Sequence, residues 1–219
     1  MDRIIVFHGS EKIIEKPVYG QGDIHSDYGR AFYCTQDLHA AKEWANKRTV
    51  GGFANKYQFD GRGLKVLDLT DKSAYGVVNW LAILMHFRKL DPELKENYQR
   101  ELAYLEQHHY IDVTQYDVVV GYRADDAYFR FPLMFVRSEI RLESLEDFYR
   151  LGHLDKQIAM ISEKAFSRLK FVEAIPAEPI YKDRYRSRIV NADDRFSFLA
   201  RQERWKEGTR LIDLVKEND

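Results

Sequence analysis

Apolar residues along this chain recur every second position in some stretches and at close to helical spacing in others, and the alternation between the two patterns marks out a mixed fold. Ile4 to His8 is a short β-branched run closed by Gly9-Ser10 and reads as a buried strand. The segment from Ile13 to Gly29 carries Pro17, Gly20 and Gly22 and reads as a loop. A second strand, Ala31 to Cys34, precedes Thr35 or Asp37 as the N-cap of a helix with Ala40, Ala41, Trp44 and Ala45 on one face. Lys56 to Phe59 and Leu64 to Leu69 alternate around Asp60-Gly61-Arg62-Gly63, which predicts a hairpin.

From Val77 to His109 the pattern becomes helical. Asp91-Pro92-Glu93 has the form of an N-cap followed by proline at the first helical position, and Leu94, Tyr98, Leu102 and Leu105 then repeat along one face. Tyr116 to Gly121 is the most strand-like segment of all. Helices fit Asp126 to Arg137, where Pro132 intrudes, and Leu145 to Leu151. Gln157 to Ile161 reads as a strand, Ser162 to Arg168 as a helical turn and Leu169 to Ala174 as a last strand. The class is therefore α+β, with helices covering a sheet.

Composition narrows the class of partner more than the fold. With 45% hydrophobic residues in 219, the chain can bury a core and is not a disordered segment. Lys and Arg (34) nearly cancel Asp and Glu (35), so no global field draws it to nucleic acid or to a membrane. The single cysteine, Cys34, excludes an internal disulfide framework and a cysteine-built zinc site, and points to a reducing, cytoplasmic setting. No apolar run approaches the roughly 18 residues of a membrane span, and Met1-Asp2-Arg3 leads straight into a strand rather than a signal-peptide core. Export by a route without an N-terminal signal stays open. Beyond Pro176 the chain turns helical and modestly basic. Residues 1–175 are expected to form one domain and 176–219 an extension packed on it, because so short a tail buries little core alone. Tyr181 and Tyr185, interleaved with Lys182 to Arg188, suit either a solvated connection or contact with a nucleic acid backbone.

No glycine-rich dinucleotide loop, Walker loop or nucleophile elbow is present, and His108-His109 lacks the spacing of a metal pair on one helix face. The candidate chemistry lies at His8-Gly9-Ser10 and at Gly29-Arg30-Ala31-Phe32-Tyr33. A strand ending in His-Gly offers an imidazole to a sugar hydroxyl and a glycine that a flat ligand can approach closely, and a second strand ending in Phe-Tyr offers a ring to stack. Taken alone, His8 reads first as an ordinary histidine at a strand end, and it is the neighbouring residues that change the reading.

In that order and spacing, with Trp44 eleven residues further on, the chain resembles the ADP-ribosyltransferase superfamily of the His-Tyr-Glu type. That group marks its first strand with His-Gly-Ser or His-Gly-Thr and its second with Gly-x-Gly-x-Tyr; here Ala31 stands for the second glycine. A narrower resemblance is to a family of uncharacterised bacterial proteins grouped with those transferases. Its features appear as His8 to Ser10, Asp27 to Tyr33, Gly121 to Asp126 and Gln157-Ile158, over roughly residues 3 to 174.

The resemblance implies a split β-sandwich of two antiparallel half-sheets with helical insertions and a helical tail. It implies NAD as substrate without a metal, held by His8, Gly9, Ser10, Arg30, Tyr33 and Trp44. His8 would hold the adenosine ribose, the Gly9 backbone the nicotinamide amide, Arg30 the pyrophosphate, and Tyr33 with Trp44 the ring; Trp44 is equally a core residue of its helix. The family's catalytic glutamate falls on Gln157, which can orient ribose hydroxyls but carries no charge toward a developing oxocarbenium ion. Asp125 and Asp126 are the candidate substitutes, or simply helix caps. The implied activity is transfer of ADP-ribose to a protein or nucleic acid acceptor by a bacterial toxin or defence effector, with a cognate antitoxin or immunity protein as a further partner. NAD glycohydrolysis and a degenerate module that only binds NAD or a protein are the alternatives that glutamine at 157 leaves open.

Overall fold

Val118-Val119-Val120 has no polar face to offer solvent, and a strand of that kind belongs inside a sheet. In the computed structural model, which describes residues 1–48, 50–124, 129–145, 156–199 and 207–218, that is where it lies. The strands are β1 (Arg3–Ser10), β2 (Phe32–Thr35), β3 (Phe53–Asp60), β4 (Val66–Asp68), β5 (Val118–Tyr122), β6 (Lys156–Met160) and β7 (Leu169–Pro176). They form one sheet in the order β4-β5-β6-β2-β1-β3-β7. Its two halves meet only where β1 pairs with β2, through the single register pair Phe7↔Thr35. The fold is a mixed α+β one.

Two expectations are corrected. The turn at Asp60-Gly61-Arg62-Gly63 forms, with the Arg62 amide donating to Asp60 Oδ1 and Gly63 at φ +72°, but no hairpin follows it. Both edges of β3 are already taken, by β1 from Arg3↔Asp60 to Ser10↔Phe53 and by β7, so the chain leaves to build β4 elsewhere. β4 then pairs with β5 in parallel, so that half of the sheet is not purely antiparallel. The helices between the two strands supply the long crossover that a parallel pair needs.

Those helices are α2 (Val77–Phe87), α3 (Pro92–Asn97) and α4 (Gln99–His109), preceded by α1 (Leu38–Ala45) after β2. The capping signals act as their chemistry dictates. Asp37 Oδ1 accepts from the His39 amide at 2.6 Å, and Asp91 Oδ1 from the Glu93 amide at 2.8 Å with Pro92 opening α3. α5 (Arg130–Val136) carries Pro132 in its first turn, where a missing amide proton costs no helical bond. The residues expected to open that helix from Asp126, and most of the Leu145–Leu151 stretch, lie outside the described residues. α6 (Glu163–Phe166) is capped by Ser162, whose hydroxyl accepts from the Ala165 amide.

The larger core packs α2, with Trp80, Leu81, Ile83 and Leu84 fully buried, and Leu105 of α4 onto Val119 and Ala159 of the sheet. The opposite faces of the same strands, Val118, Val120, Ile158 and Met160, join Val6, Phe32, Cys34, Tyr57 and Phe59 from both halves of the sheet in a second cluster. Strand alternation thus feeds two cores. In the tail, α7 (Ile180–Leu199) buries Tyr181 and Tyr185 and lies against α1, and α8 (Leu211–Glu217) buries Leu211 and Val215 and contacts α4. Lys42 of α1, almost fully buried, donates to both carboxylate oxygens of Glu178 at 2.9 and 2.7 Å and so ties the start of the tail to α1. No described helix is long and apolar enough to cross a membrane.

Candidate functional site at the split in the sheet

β1 and β2 separate beyond Phe7↔Thr35, and the functional side chains collect in the opening. Gly9 of β1 has to be glycine: a Cβ there would sit 2.0 Å from the Ala41 carbonyl oxygen and 2.7 Å from Trp44 Cβ. That close approach draws α1 onto the end of β1 and puts Trp44 at the rim. His8 bridges the gap. Its Nδ1 lies 2.7 Å from the Tyr33 carbonyl oxygen, an acceptor only, so Nδ1 carries the proton and Nε2 is left as an acceptor. The ring also stacks on Phe32 with centroids 4.3 Å apart. Burial lowers the His8 pKa from its usual value, the carbonyl contact opposing it, so His8 is neutral at pH 7.

Opposite His8 lies a buried carboxylate. Asp27, only 5% exposed, accepts from the Ala124 amide at 2.9 Å and from Gln157 Nε2 at 3.2 Å on Oδ2, while Oδ1 faces Arg88 Nη1 at 3.3 Å. Burial raises its pKa to about 6, and Arg88, the Ala124 amide, Gln157 and Arg123 hold it from going higher. Three donors converge on this one carboxylate. One of the three is fixed by the sheet itself, since Gln157 is paired with Thr35 on one side and Gly121 on the other.

The cleft has a volume of about 360 Å³ and is lined by His8, Gly9, Tyr33, Trp44, Asp27 and Gln157 together with Lys47, Arg48, Arg88 and Arg123. Among the described residues that line it, four are cationic and Asp27 is the one acid. Two rings, a neutral imidazole, a carboxylate–amide pair and a surplus of positive charge suit a ligand with a flat ring, sugar hydroxyls and phosphates. Among the described residues no group of three or more His, Cys, Asp or Glu side chains is placed to hold a metal ion.

The residues singled out in the sequence fare differently. His8, Gly9, Tyr33, Trp44 and Gln157 come together. Tyr33 contributes its ring alone, because its hydroxyl donates to the Gly29 carbonyl at 2.6 Å and accepts from the Tyr28 amide at 3.0 Å. Trp44 has a cation on one face, the Arg123 guanidinium 3.9 Å from the ring centroid. Ser10 is a loop anchor: its hydroxyl donates to the Lys12 carbonyl and accepts from Asn55, so it borders the neighbouring groove rather than the cleft. Arg30 does not reach the cleft. It is exposed and lines a different cavity, just after Gly29 with its φ of +72°; Lys47 and Arg48, just beyond the C-terminus of α1, are among the cations that line the cleft. Asp125 and Asp126 lie outside the described residues.

Asp27, Lys47, Arg48, Arg88 and Arg123 were the omissions. Asp27 sits inside the Asp27 to Tyr33 motif, so its position was visible, but nothing local marks a carboxylate for burial. Arg88, the first residue past the apolar helix α2, was the available signal of a cation delivered to a defined point. No curated protein and no solved structure matches the chain. Residues 4–171 match the family described as proteins of unknown function, DUF3990, and the chain belongs to that family.

Proposed function

We propose that this protein binds NAD in the cleft at the sheet split and transfers its ADP-ribose to an acceptor macromolecule. The observation that carries the proposal is the Asp27 carboxylate, held by Gln157 in the same cationic cleft as His8 and the Tyr33 ring. Glutamine at 157 left the site without a negative charge, and Asp27 supplies one. Lys47 and Arg48 take the pyrophosphate, His8 a ribose hydroxyl through Nε2, and Tyr33 and Trp44 the nicotinamide ring. Breaking the bond between the nicotinamide nitrogen and the ribose leaves positive charge on the sugar and releases neutral nicotinamide. Ionised Asp27 stabilises that charge from a fixed position, and Gln157 orients both the carboxylate and the sugar. In this reading the nearly parted sheet is the split β-sandwich of the ADP-ribosyltransferases. The resemblance in sequence further supports a bacterial toxin or defence effector, acting on protein or nucleic acid and restrained by a cognate antitoxin or immunity protein.

Incubation with NAD labelled in its adenylate part tests this. Label fixed to a macromolecule, lost with Asp27→Asn, is the expected result. Free ADP-ribose with no labelled macromolecule would make the protein a glycohydrolase, and intact NAD would leave a binding module. Expression in a bacterial host tests the proposed role, toxicity being expected of the wild type and lost with Asp27→Asn.

A further inference from the structure

The cleft is smaller than another cavity beside it. A second cavity of about 640 Å³ opens on the other side of the loop that carries Asp27, within the range of about 300–1,000 Å³ usual for small-molecule sites. Tyr28, Phe87 and Tyr116 are on its lining, with Tyr19 and Phe166 in edge-to-face contact, centroids 5.5 Å apart. Tyr19 and Ile24, both on its lining, stay about half exposed, which leaves apolar surface open at the margin. Arg30 also lines it, exposed and without a partner among the described residues. His25, also on the lining, donates from Nδ1 to the Phe87 carbonyl at 3.1 Å.

Two chain segments border both the cavity and the cleft. In two separate segments, consecutive residues line opposite sides: Asp27 the cleft and Tyr28 the cavity, Arg88 the cleft and Phe87 the cavity. The two segments are clamped together by the Asp27–Arg88 pair, by His25 on the Phe87 carbonyl, and by the Phe87 ring packed on Gly29, where a Cβ would lie 2.6 Å from it.

We propose that this cavity is a second ligand site, separate from the cleft, for a small planar aromatic anion whose ring stacks among the tyrosine and phenylalanine rings and whose acidic group pairs with Arg30. The rings supply flat, polarisable surface on several sides, and a lone guanidinium beside an apolar chamber selects a carboxylate, sulfonate or phosphate attached to the ring. An aliphatic anion loses the stacking and a neutral aromatic loses the ion pair. The site stands whether or not the cleft takes NAD.

The dye 8-anilinonaphthalene-1-sulfonate, an aromatic anion with a planar naphthalene ring that carries a sulfonate, is the probe. The expected result is one dye per chain, bound with a rise in the thermal midpoint of the folded protein, and weakened about tenfold or more by Arg30→Gln, the loss of one charge-assisted hydrogen bond. Thr114→Trp, which places an indole in the cavity from an exposed position, also weakens it, and saturating NAD leaves it unchanged. Three outcomes overturn the proposal: no binding to the folded protein, binding indifferent to both variants, or displacement of the dye by NAD, which would make cavity and cleft one site. A separate calorimetric titration with NAD reads the cleft, so failure there is distinguishable from failure here.

Discussion

Replacing Asp27 by asparagine should change how the stability of this protein depends on pH. The carboxylate is buried, and its pKa is raised from 3.8 to about 6, with desolvation the largest cause. An acid whose pKa is higher folded than unfolded binds more protons in the native state between those two values. Stability therefore falls as pH rises from about 4 to 6, and the full penalty is present above that. A shift of about two units at about 1.4 kcal/mol each puts the penalty near 3 kcal/mol at pH 7. Asparagine carries no such penalty. It does turn an amide group against one of the donors that now converge on the carboxylate, at a cost that does not vary with pH. Urea denaturation of both proteins from pH 4 to 8 isolates the effect in the difference between them. The wild type should lose about 2.5 kcal/mol relative to Asp27→Asn across the window from pH 4 to 7, the rest of the penalty lying below pH 4. A difference that stays constant over that range would refute the placement of an ionising carboxylate in this site. The same titration governs the chemistry. Cleavage of NAD should rise with pH through about 6, and Asp27→Asn should lower it by roughly 10²–10³, the usual effect of removing one preorganised charge-stabilising group.

Tyr33→Phe removes the bonds to Gly29 and Tyr28 but keeps the ring, so it should cost about 1–3 kcal/mol in urea denaturation while leaving NAD affinity within about twofold; a large loss of affinity would make the hydroxyl a ligand contact. Gly9→Ala should destabilise by at least about 2 kcal/mol, since the new Cβ meets backbone of α1 that cannot move aside alone, and a neutral thermal midpoint would contradict the packing of α1 on β1. Asn55 is fully buried and holds the His8 and Lys12 carbonyls, the Ser10 hydroxyl and the Ile14 amide. Asn55→Ala should therefore cost about 2–4 kcal/mol and speed amide hydrogen exchange at Ile14, and unchanged protection there would show that the loop is held by other means.

What the sequence made legible was whatever is decided within a few residues. Asp37 and Asp91 cap helices because a short acceptor beside free amides has little else to do. The β5 run is a central strand because it lacks a polar face. The hairpin after β3 failed for the opposite reason: the turn at Gly61 to Gly63 is local, but whether the next strand folds back depends on β1 and β7, which are far away in the chain and already occupy both edges. At the site, His8, Tyr33 and Gln157 came through their order along the chain. Asp27 did not, because its burial and its altered acidity are created by Arg88, Ala124 and Gln157 arriving from three other elements. Arg30 follows the turn at Gly29, where φ is positive, and lines the neighbouring cavity, a placement that its order along the chain does not reveal.

The central claim is that the cleft at the sheet split takes NAD, and isothermal titration of NAD into the wild type and into His8→Ala tests it most directly. One NAD per chain should bind, with an affinity about tenfold or more weaker once the imidazole is gone. No heat of binding to the folded wild type, or equal affinity in the two proteins, would contradict it.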